Sequence, residues 1–212
     1  MNLFEINDLS DIQEISLCGS KIYIKDNFYK YPNLVLKFIE LHQSEIWKQH
    51  ETPSYNMIHF QERRHHIDVT DLLKVSRSLS KIVKQNPIVP YTLSTNYIRF
   101  LNREFNDYKN NYWWPHLDSG YTAIIYFDNF EKEISGTNLY KKVKYYNPYD
   151  FAEHYKPWIK KDLFEVLYTF RSKFNRLVMF DGEKFLHNMA IDDDRFFYNT
   201  FRKNQVIFFN GE

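Results

Sequence analysis

The chain has 212 residues, which suits a single domain with a sizeable buried core. Lys and Arg number 28 against 27 Asp and Glu, so net charge gives no reason to expect nucleic acid as a partner. Cys18 is the one cysteine, which excludes a disulfide within the chain and a Cys-rich zinc site. We expect its thiol to be buried or half-buried.

Targeting and membrane signals are missing from the sequence. No apolar run approaches the ~20 residues that a helix needs to cross a bilayer. The N-terminus is acidic and mixed, and it does not resemble a signal peptide. These features predict a soluble, cytoplasmic protein with no membrane partner.

The first part of the chain is predicted to be mainly helical. Residues 1–20 show no clear pattern, and the alternation of residues 21–24 predicts a short strand. Pro32 fits the first turn of a helix, and apolar residues recurring near every 3.6 positions predict that helix over 33–48. A second apolar stripe predicts a helix over 70–85, which is ended by prolines.

Between these helices, residues 52–68 are predicted to form a loop followed by irregular or strand-like structure. A polar cluster lies within them, formed by Arg63, Arg64, His65 and His66. The simpler interpretation is a solvated face. A contact with an anionic substrate is the alternative.

From residue 91 onwards the patterns become strand-like, apart from a polar and aromatic insert at 141–162. The predicted strands are 97–100, 176–180, 184–189 and 205–209. Asp181 and Gly182 form a turn signal. Helices followed by strands suit a β-sandwich or barrel that is braced on one face by helices.

A possible metal site begins with His116 and Asp118. Residues i and i+2 of a strand point to the same face, so this imidazole and carboxylate could bind one metal ion together. Among the seven other histidines, His187 lies in an apolar strand-like run, where it is either a packed core residue or the third ligand. Two histidines and one carboxylate suit Fe(II) and leave positions open, whereas structural zinc prefers four protein ligands.

Open metal positions imply a co-substrate, and a keto acid bound there needs a cation for its far carboxylate. Arg202 opens the last predicted strand, and its guanidinium can bind a carboxylate through two hydrogen bonds. If this arginine is buried, it needs an anionic partner. Arg176 and Arg195 are alternatives, although Arg176 could face solvent and Arg195 lies in an acidic loop that suggests a surface ion pair.

Five segments in order carry a resemblance to a known family: IKDNFYKYPNLVLKF, HLD at 116–118, GTNLY at 136–140, NRLVMFDGEKFLHN at 175–188 and RKNQVIFF at 202–209. The set resembles the 2-oxoglutarate/Fe(II)-dependent oxygenases, in the branch of prolyl-hydroxylase-like enzymes and small bacterial and phage homologues. The resemblance implies one α+β domain over 1–212. Its N-terminal helices, within about 25–90, would pack on one face of a double-stranded β-helix (jelly-roll or cupin-like) core at about 91–210.

The resemblance also implies roles for single residues. His116, Asp118 and His187 would bind Fe(II). Arg202 would pair with the distal carboxylate of 2-oxoglutarate, and Tyr126 would donate a hydrogen bond to it, unless Tyr126 is a core aromatic. Halogenating relatives replace the metal-binding carboxylate with a small residue, so Asp118 implies hydroxylation.

The activity implied by the resemblance is hydroxylation of an unactivated C–H bond, using Fe(II), 2-oxoglutarate and O2, with ascorbate as a reductant in vitro. The substrate would be a small molecule such as a free amino acid, or else a protein or peptide side chain. A non-catalytic metal-binding module is the third hypothesis. Trp113, Trp114 and Asn188 are candidate substrate contacts, with rim packing and a backbone hydrogen bond as the alternatives. Monomer and homodimer both fit the sequence.

Overall fold

The structure is a computed structural model that describes residues 3–41, 48–49, 60–66, 69–84, 92–100, 108–128, 135–145, 157–191 and 202–209. In these ranges the strands are β1 (Gln13–Leu17), β2 (Ser20–Lys25), β3 (Lys48–Gln49), β4 (Phe60–His66), β5 (Thr92–Phe100), β6 (Asn111–Trp113), β7 (Tyr121–Tyr126), β8 (Ser135–Lys142), β9 (Trp158–Lys160), β10 (Phe164–Arg171), β11 (Leu177–Asp181), β12 (Leu186–Ile191) and β13 (Arg202–Phe209). The α-helices are α1 (Pro32–Leu41) and α2 (Val69–Ile82), and Lys161–Leu163 form a short 3-10 helix.

The strands form one large and one small antiparallel sheet. The large sheet has the order β1–β2–β11–β7–β13–β5–β4–β3, and the small sheet has the order β10–β8–β12. Strands β6 and β9 pair with each other. Backbone hydrogen bonds between His116 and His187, at 3.1 and 2.9 Å, join the segment after β6 to β12. The chain is therefore a β-rich fold with few helices among its described residues.

The two sheets pack face to face through buried side chains. Ile124 and Val206 of the large sheet lie in one apolar cluster with Leu139 and Phe170 of the small sheet. The rings of Phe170 and Phe180 stack across this space, with centroids 5.8 Å apart. Alternate residues of each strand point into this interior.

The helices cover the opposite face of the large sheet. Val35 of α1 and Leu79 of α2 belong to a second cluster with Ile125 and Ile207, which are the neighbours of inward-facing residues along their strands. Because β7 is buried on both faces, its sequence is a continuous apolar run and does not alternate. None of the helices in the described ranges has the length and apolarity to cross a bilayer.

The first predicted helix is too long at its C-terminal end. It begins at Pro32 and is described as far as Leu41, and residues 42–47 lie outside the described ranges. Lys48, its predicted last residue, lies instead in β3, which pairs with β4. Pairing with a neighbouring strand supplied backbone partners that the apolar periodicity did not anticipate. The second helix begins one residue before its predicted start and ends at Ile82. Residue 85 lies outside the described ranges.

Two expectations for the N-terminal segment are wrong. Residues 13–17, which showed no clear pattern in the sequence, form β1 at the edge of the large sheet. The strand is mostly exposed and has few apolar residues, so its sequence does not show the alternation expected of a half-buried strand. The thiol of Cys18 is exposed. Cys18 and Gly19 have φ angles of 48° and 76° and make the tight turn from β1 to β2, which directs the Cys18 side chain into solvent.

The remaining predicted elements correspond closely to the observed ones. The strand predicted at 21–24 lies within β2, and β11, β12 and β13 overlap the predictions at 176–180, 184–189 and 205–209. The cluster at 63–66 lies on β4, but its side chains are outside the described part of the structure. The insert at 141–162 contains the end of β8, then β9 and the 3-10 helix, with residues 146–156 outside the described ranges.

Candidate metal centre

His116 and Asp118 lie between β6 and β7, and His187 lies near the start of β12. The antiparallel bridge between His116 and His187 places the two imidazoles together, with ring centroids 4.6 Å apart. The Asp118 amide donates to the carbonyl of Gly182, which fixes the carboxylate segment against the turn before β12. A Cβ at position 182 would lie 2.9 Å from that of Asp118, so this turn requires glycine.

The three side chains converge. One donor atom from each of His116, Asp118 and His187 lies within 4.8 Å of the others, which is a spacing that could hold a metal ion. The Nε2 atom of His187 is 2.9 Å from Asp118 Oδ2, and that of His116 is 3.7 Å from Oδ1. Both histidines therefore present Nε2 to the carboxylate.

The second ring nitrogen of each histidine is held by a backbone carbonyl. His116 Nδ1 is 3.1 Å from the oxygen of Trp114, and His187 Nδ1 is 3.0 Å from the oxygen of Phe185. A carbonyl can only accept, so each Nδ1 carries a proton and each Nε2 is turned towards the carboxylate. Lone pairs of His187 and Asp118 at 2.9 Å repel unless a proton or a cation lies between them. This donor set fits a divalent metal ion.

The electrostatics favour the protonation states that a metal needs. Burial disfavours the charged form of Asp118, but the contact with His187, the nearby His116 and a 3.0 Å hydrogen bond from Thr122 together lower its pKa. Burial and the neighbouring His187 lower the pKa of His116 to about 4. A carboxylate and a neutral imidazole therefore coexist at neutral pH. The His116 side chain is 27% exposed, so the cluster is open to solvent on that side.

Arg202 and Tyr126 lie together in the interior between the sheets. Arg202 is 2% exposed, and one of its Nη atoms donates to the carbonyl of Gly136 at 3.0 Å. Its Nε has no hydrogen-bond partner, and no carboxylate of the described residues forms an ion pair with it. The guanidinium carbon is 5.7 Å from the centroid of the Tyr126 ring. A buried guanidinium in this state can accept an anionic ligand.

Tyr126 is a hydrogen-bond donor within this interior. Its hydroxyl donates to Thr137 Oγ1 at 2.7 Å. Burial raises the pKa of Tyr126 to about 12, although Arg202 opposes the shift, so the phenol keeps its proton. Thr122 and Tyr126 point to the same face of β7, and four residues of strand separate them by ~13 Å at ~3.3 Å per residue. The metal cluster and the buried arginine therefore lie at two ends of one inner face.

The three candidate substrate contacts differ in what they touch. Trp114 stacks on His116, with centroids 4.7 Å apart, and it is half-buried beside the cluster. Trp113 is buried and packs edge-on against Trp158. Asn188 donates to the carbonyl of Trp113 and accepts from the Tyr140 hydroxyl. The described contacts of Trp113 and Asn188 therefore match the alternatives to substrate binding, which were aromatic packing and a backbone hydrogen bond. Trp114 is the candidate substrate contact that lies beside the cluster.

The competing arginines are not free to bind a ligand or lie outside the described ranges. Arg176 Nε donates to Asp26 at 2.6 Å, and its Nη1 donates to the carbonyl of Arg171. The hydrogen bond from Arg176 lowers the pKa of Asp26 to about 2, against the effect of burial. Arg195 lies outside the described residues. Arg202 is the arginine of these three that the structure places in the interior.

Several buried polar residues of this interior escaped sequence reasoning. Thr122 binds Asp118, Thr137 binds Tyr126, and Asn204 is 4% exposed with an Oδ1 that has no partner. Asp128 is also buried, at the end of β7. These residues could have been identified as polar residues at the inward-facing positions of apolar strands. A buried polar side chain at such a position needs a polar partner in the interior.

The fold and the cluster define a β-rich protein with a candidate metal site of two histidines and one carboxylate. No family model matches the chain, and no curated protein matches it in sequence. Comparison with solved structures finds the crystal structure of a "putative oxygenase" from Shewanella oneidensis, with 10% sequence identity and a TM-score of 0.48. That match covers 90% of this chain and 82% of the other. A likeness this distant says nothing about the reaction, so function has to be inferred from the site residues.

Proposed function

We propose that the protein is an Fe(II)- and 2-oxoglutarate-dependent dioxygenase that hydroxylates an unactivated C–H bond of a small molecule, with free amino acids as the first class to test. One observation carries the proposal. The buried guanidinium of Arg202 has no anionic partner among the described residues, and it shares an inner face with the cluster of His116, Asp118 and His187. A cation-binding end and an anion-binding end on one face fit a metal ion with a dicarboxylic co-substrate.

We also propose that the two sheets form a double-stranded β-helix. From β5 onwards, strands β5, β7, β11 and β13 belong to the large sheet, whereas β8, β10 and β12 belong to the small sheet. The segment after β6 bridges to β12 through His116 and His187, while β6 itself pairs with β9. The chain therefore crosses repeatedly between the two layers, and this alternation supports the proposed core.

In the proposed enzyme, His116, Asp118 and His187 would hold the iron, and a site with three protein ligands would have room for a co-substrate. Bound iron with 2-oxoglutarate supplies the oxygen chemistry, in which substrate, O2 and 2-oxoglutarate yield hydroxylated substrate, succinate and carbon dioxide. The chain itself orients the reactants. Arg202 would bind the far carboxylate of 2-oxoglutarate, and the Tyr126 hydroxyl would donate to it by exchanging its present acceptor, Thr137. The apolar interior around them excludes water.

The proposal is tested by succinate formation. Purified protein would be incubated with Fe(II), ascorbate and 2-oxoglutarate, with and without a panel of amino acids, and succinate would be measured. We expect turnover that His116→Ala abolishes. The matched control is Asp162→Asn, because Asp162 is an exposed carboxylate that pairs with Lys144. Absence of turnover, together with equal iron binding by wild type and His116→Ala, would contradict the proposal and leave a non-catalytic role.

A peptide or protein side chain is the second candidate substrate, and one observation favours it. Leu117, which lies between two of the proposed ligands, is 53% exposed. Beside it, Trp114 covers the ring of His116. An exposed leucine next to a stacked tryptophan fits an apolar contact from a larger substrate. Stimulation of succinate formation by peptides, with none by free amino acids and with loss in Leu117→Ser, would favour this candidate.

A further inference from the structure

We propose that Asp128 is the positioning residue for Arg202, and that its carboxylate also limits the positive charge that Arg202 presents to an anionic co-substrate. The inference rests on the proposed function, because it assigns a role in binding 2-oxoglutarate. Asp128 is 4% exposed and lies two residues beyond Tyr126. It belongs to neither the metal cluster nor the candidate substrate contacts.

The contacts of Asp128 join the two segments that hold Arg202. Its Oδ1 accepts from the backbone amide of Lys203 at 2.7 Å, next to Arg202 in β13. Its Oδ2 accepts from the Ser135 hydroxyl at 3.1 Å, next to Gly136 in β8. Gly136 is the residue whose carbonyl accepts from Arg202. One carboxylate therefore links the strand that carries the arginine to the strand that orients it.

The space around this link leaves no room for adjustment. A Cβ on Gly136 would lie 1.8 Å from the carbonyl oxygen of Phe170, so β8 and β10 are in close contact there. The Ser172 hydroxyl, just after β10, lies 2.9 Å from that of Ser135 and can donate to it, because the Ser135 proton goes to Asp128. The start of β13 is also held by pairing with β5 and by the Phe127 amide, which donates to the Lys203 carbonyl at 3.0 Å. Loss of Asp128 would therefore remove one contact at the start of β13 while β8 stays fixed, and a small shift of Arg202 relative to its carbonyl acceptor would follow.

The negative charge of Asp128 is the reason to expect that this residue limits the positive charge of Arg202. Among the described residues, the charged groups acting on it are Arg202 and Lys203 of β13, and Tyr126 of β7 is the nearby titratable group. Burial raises the pKa of Asp128 to about 6, although Arg202 and the hydrogen bonds from Lys203 and Ser135 favour its charged form. At pH 7.5 the carboxylate is charged and partly cancels the field of Arg202. Near pH 6 it takes up a proton, and that cancellation weakens.

Two substitutions separate the link from the charge. Asp128→Asn keeps an oxygen that can accept from Lys203, and its amide can donate to Ser135, whose own proton can then turn to Ser172. It therefore removes the charge and retains the link. Asp128→Ala removes both. Asp162→Asn is the matched control, because it neutralises an exposed carboxylate outside the site.

The measurement is the Kd for 2-oxoglutarate by titration calorimetry, in anaerobic buffer with Mn(II) in place of Fe(II). We expect Asp128→Asn to bind about three- to tenfold more tightly than wild type at pH 7.5, because a nearby negative charge is gone. Wild-type affinity should rise as the pH falls from 7.5 towards 6, and Asp128→Asn should lack this rise. Asp128→Ala should bind about tenfold more weakly. In turnover, both variants should change KM for 2-oxoglutarate with little change in kcat.

The outcomes distinguish the inference from the proposed function. If the wild type does not bind 2-oxoglutarate, the proposed function fails. If the wild type binds it and Arg202→Gln does not, but Asp128→Asn keeps the wild-type Kd and pH profile, only the role of Asp128 is overturned. Should Asp128→Asn fail to fold, Ser135→Ala tests the link, with an expected two- to fivefold loss of affinity as an order of magnitude. Unchanged affinity in Ser135→Ala would overturn the link.

Discussion

The two ends of the inner face differ in how they handle charge. At the metal end, the Asp118 carboxylate is 17% exposed and lies between two imidazoles whose Nε2 atoms face it. At the other end, the Arg202 guanidinium is almost fully buried, and its contacts with the described residues are a carbonyl and an aromatic ring. One end therefore lacks a cation, and the other has no carboxylate in direct contact among the described residues, with Asp128 acting on Arg202 only at longer range. This arrangement indicates a face prepared for ligands, because a core optimised for stability alone would not leave a carboxylate and a guanidinium without direct ion-pair partners.

The largest expected effect comes from removing the charge at the metal end. Asp118→Ala should weaken Fe(II) binding by at least about 100-fold and abolish turnover, because it deletes the anionic ligand and leaves two imidazoles. Metal content after dialysis and titration calorimetry would check this, with Asp162→Asn as the control. If Asp118→Ala retained wild-type metal affinity, the three converging side chains would not be the metal site.

The arginine end should lose co-substrate and keep metal. Arg202→Gln should raise Kd for 2-oxoglutarate by about 100-fold, because the buried carboxylate would lose its charged partner. Fe(II) affinity should stay within about twofold, since Arg202 does not contact the cluster. Arg176→Gln is the matched control, because Arg176 is already paired with Asp26. If the control variant lost affinity and Arg202→Gln did not, the assignment of the co-substrate arginine would be reversed.

Replacing Arg202 with an apolar residue should make the ligand-free protein more stable. Arg202→Leu should raise the free energy of unfolding of the ligand-free protein by about 1 kcal/mol, since it removes a buried cation that has no carboxylate in direct contact among the described residues. The addition of 2-oxoglutarate and Mn(II) should then stabilise the wild type and leave Arg202→Leu unchanged. Urea denaturation with and without the ligands measures both effects. A less stable Arg202→Leu protein would show that the guanidinium is well compensated.

The turn beside Asp118 gives a smaller, steric effect. A Cβ at Gly182 would lie 2.7 Å from Thr122 Oγ1 and 2.9 Å from the Cβ of Asp118. Gly182→Ala should therefore destabilise the protein by about 1–3 kcal/mol and weaken metal binding as Asp118 moves. Gly19→Ala is the control. Position 19 has open space and a φ of +76°, so that variant should lose stability through its backbone alone and keep metal affinity.

The local parts of this site were predictable from the sequence, whereas its long-range parts were not. The spacing of His116 and Asp118 reports a local geometry, and His187 was marked by its place in an apolar strand after a turn. That Arg202 lies in the interior beside Tyr126 depends on the register of β13 against β7, which pairs Asn204 with Tyr126. No local pattern encodes that register. The link through Asp128 depends on it in the same way.

The errors in predicting the fold have equally physical causes. Cys18 was expected inside because thiols usually are, but backbone φ angles at Cys18 and Gly19 put it in a tight turn. The first helix was extended because its apolar stripe continues past Leu41, while pairing of β3 with β4 takes over at Lys48. Both errors arose where a turn or a strand pairing outweighed a residue preference.

The smallest expected effect concerns a pair in which both charges are compensated. Asp26 and Arg176 lie 2.6 Å apart, and Asp26 is 37% exposed, so solvent screens the pair. The pKa of Asp26 is lowered to about 2, below its ordinary value, so the pair stabilises the fold above about pH 4 and this stabilisation is lost as the pH falls towards 2. Asp26→Asn should cost no more than about 1 kcal/mol at pH 7. The difference from wild type should shrink below pH 4 in urea denaturation series. A pH-independent difference would mean that packing, and not charge, is what Asp26 contributes. In that case Asp26 and Arg176 could not serve as the example of a paired charge with which the metal end and the arginine end are compared.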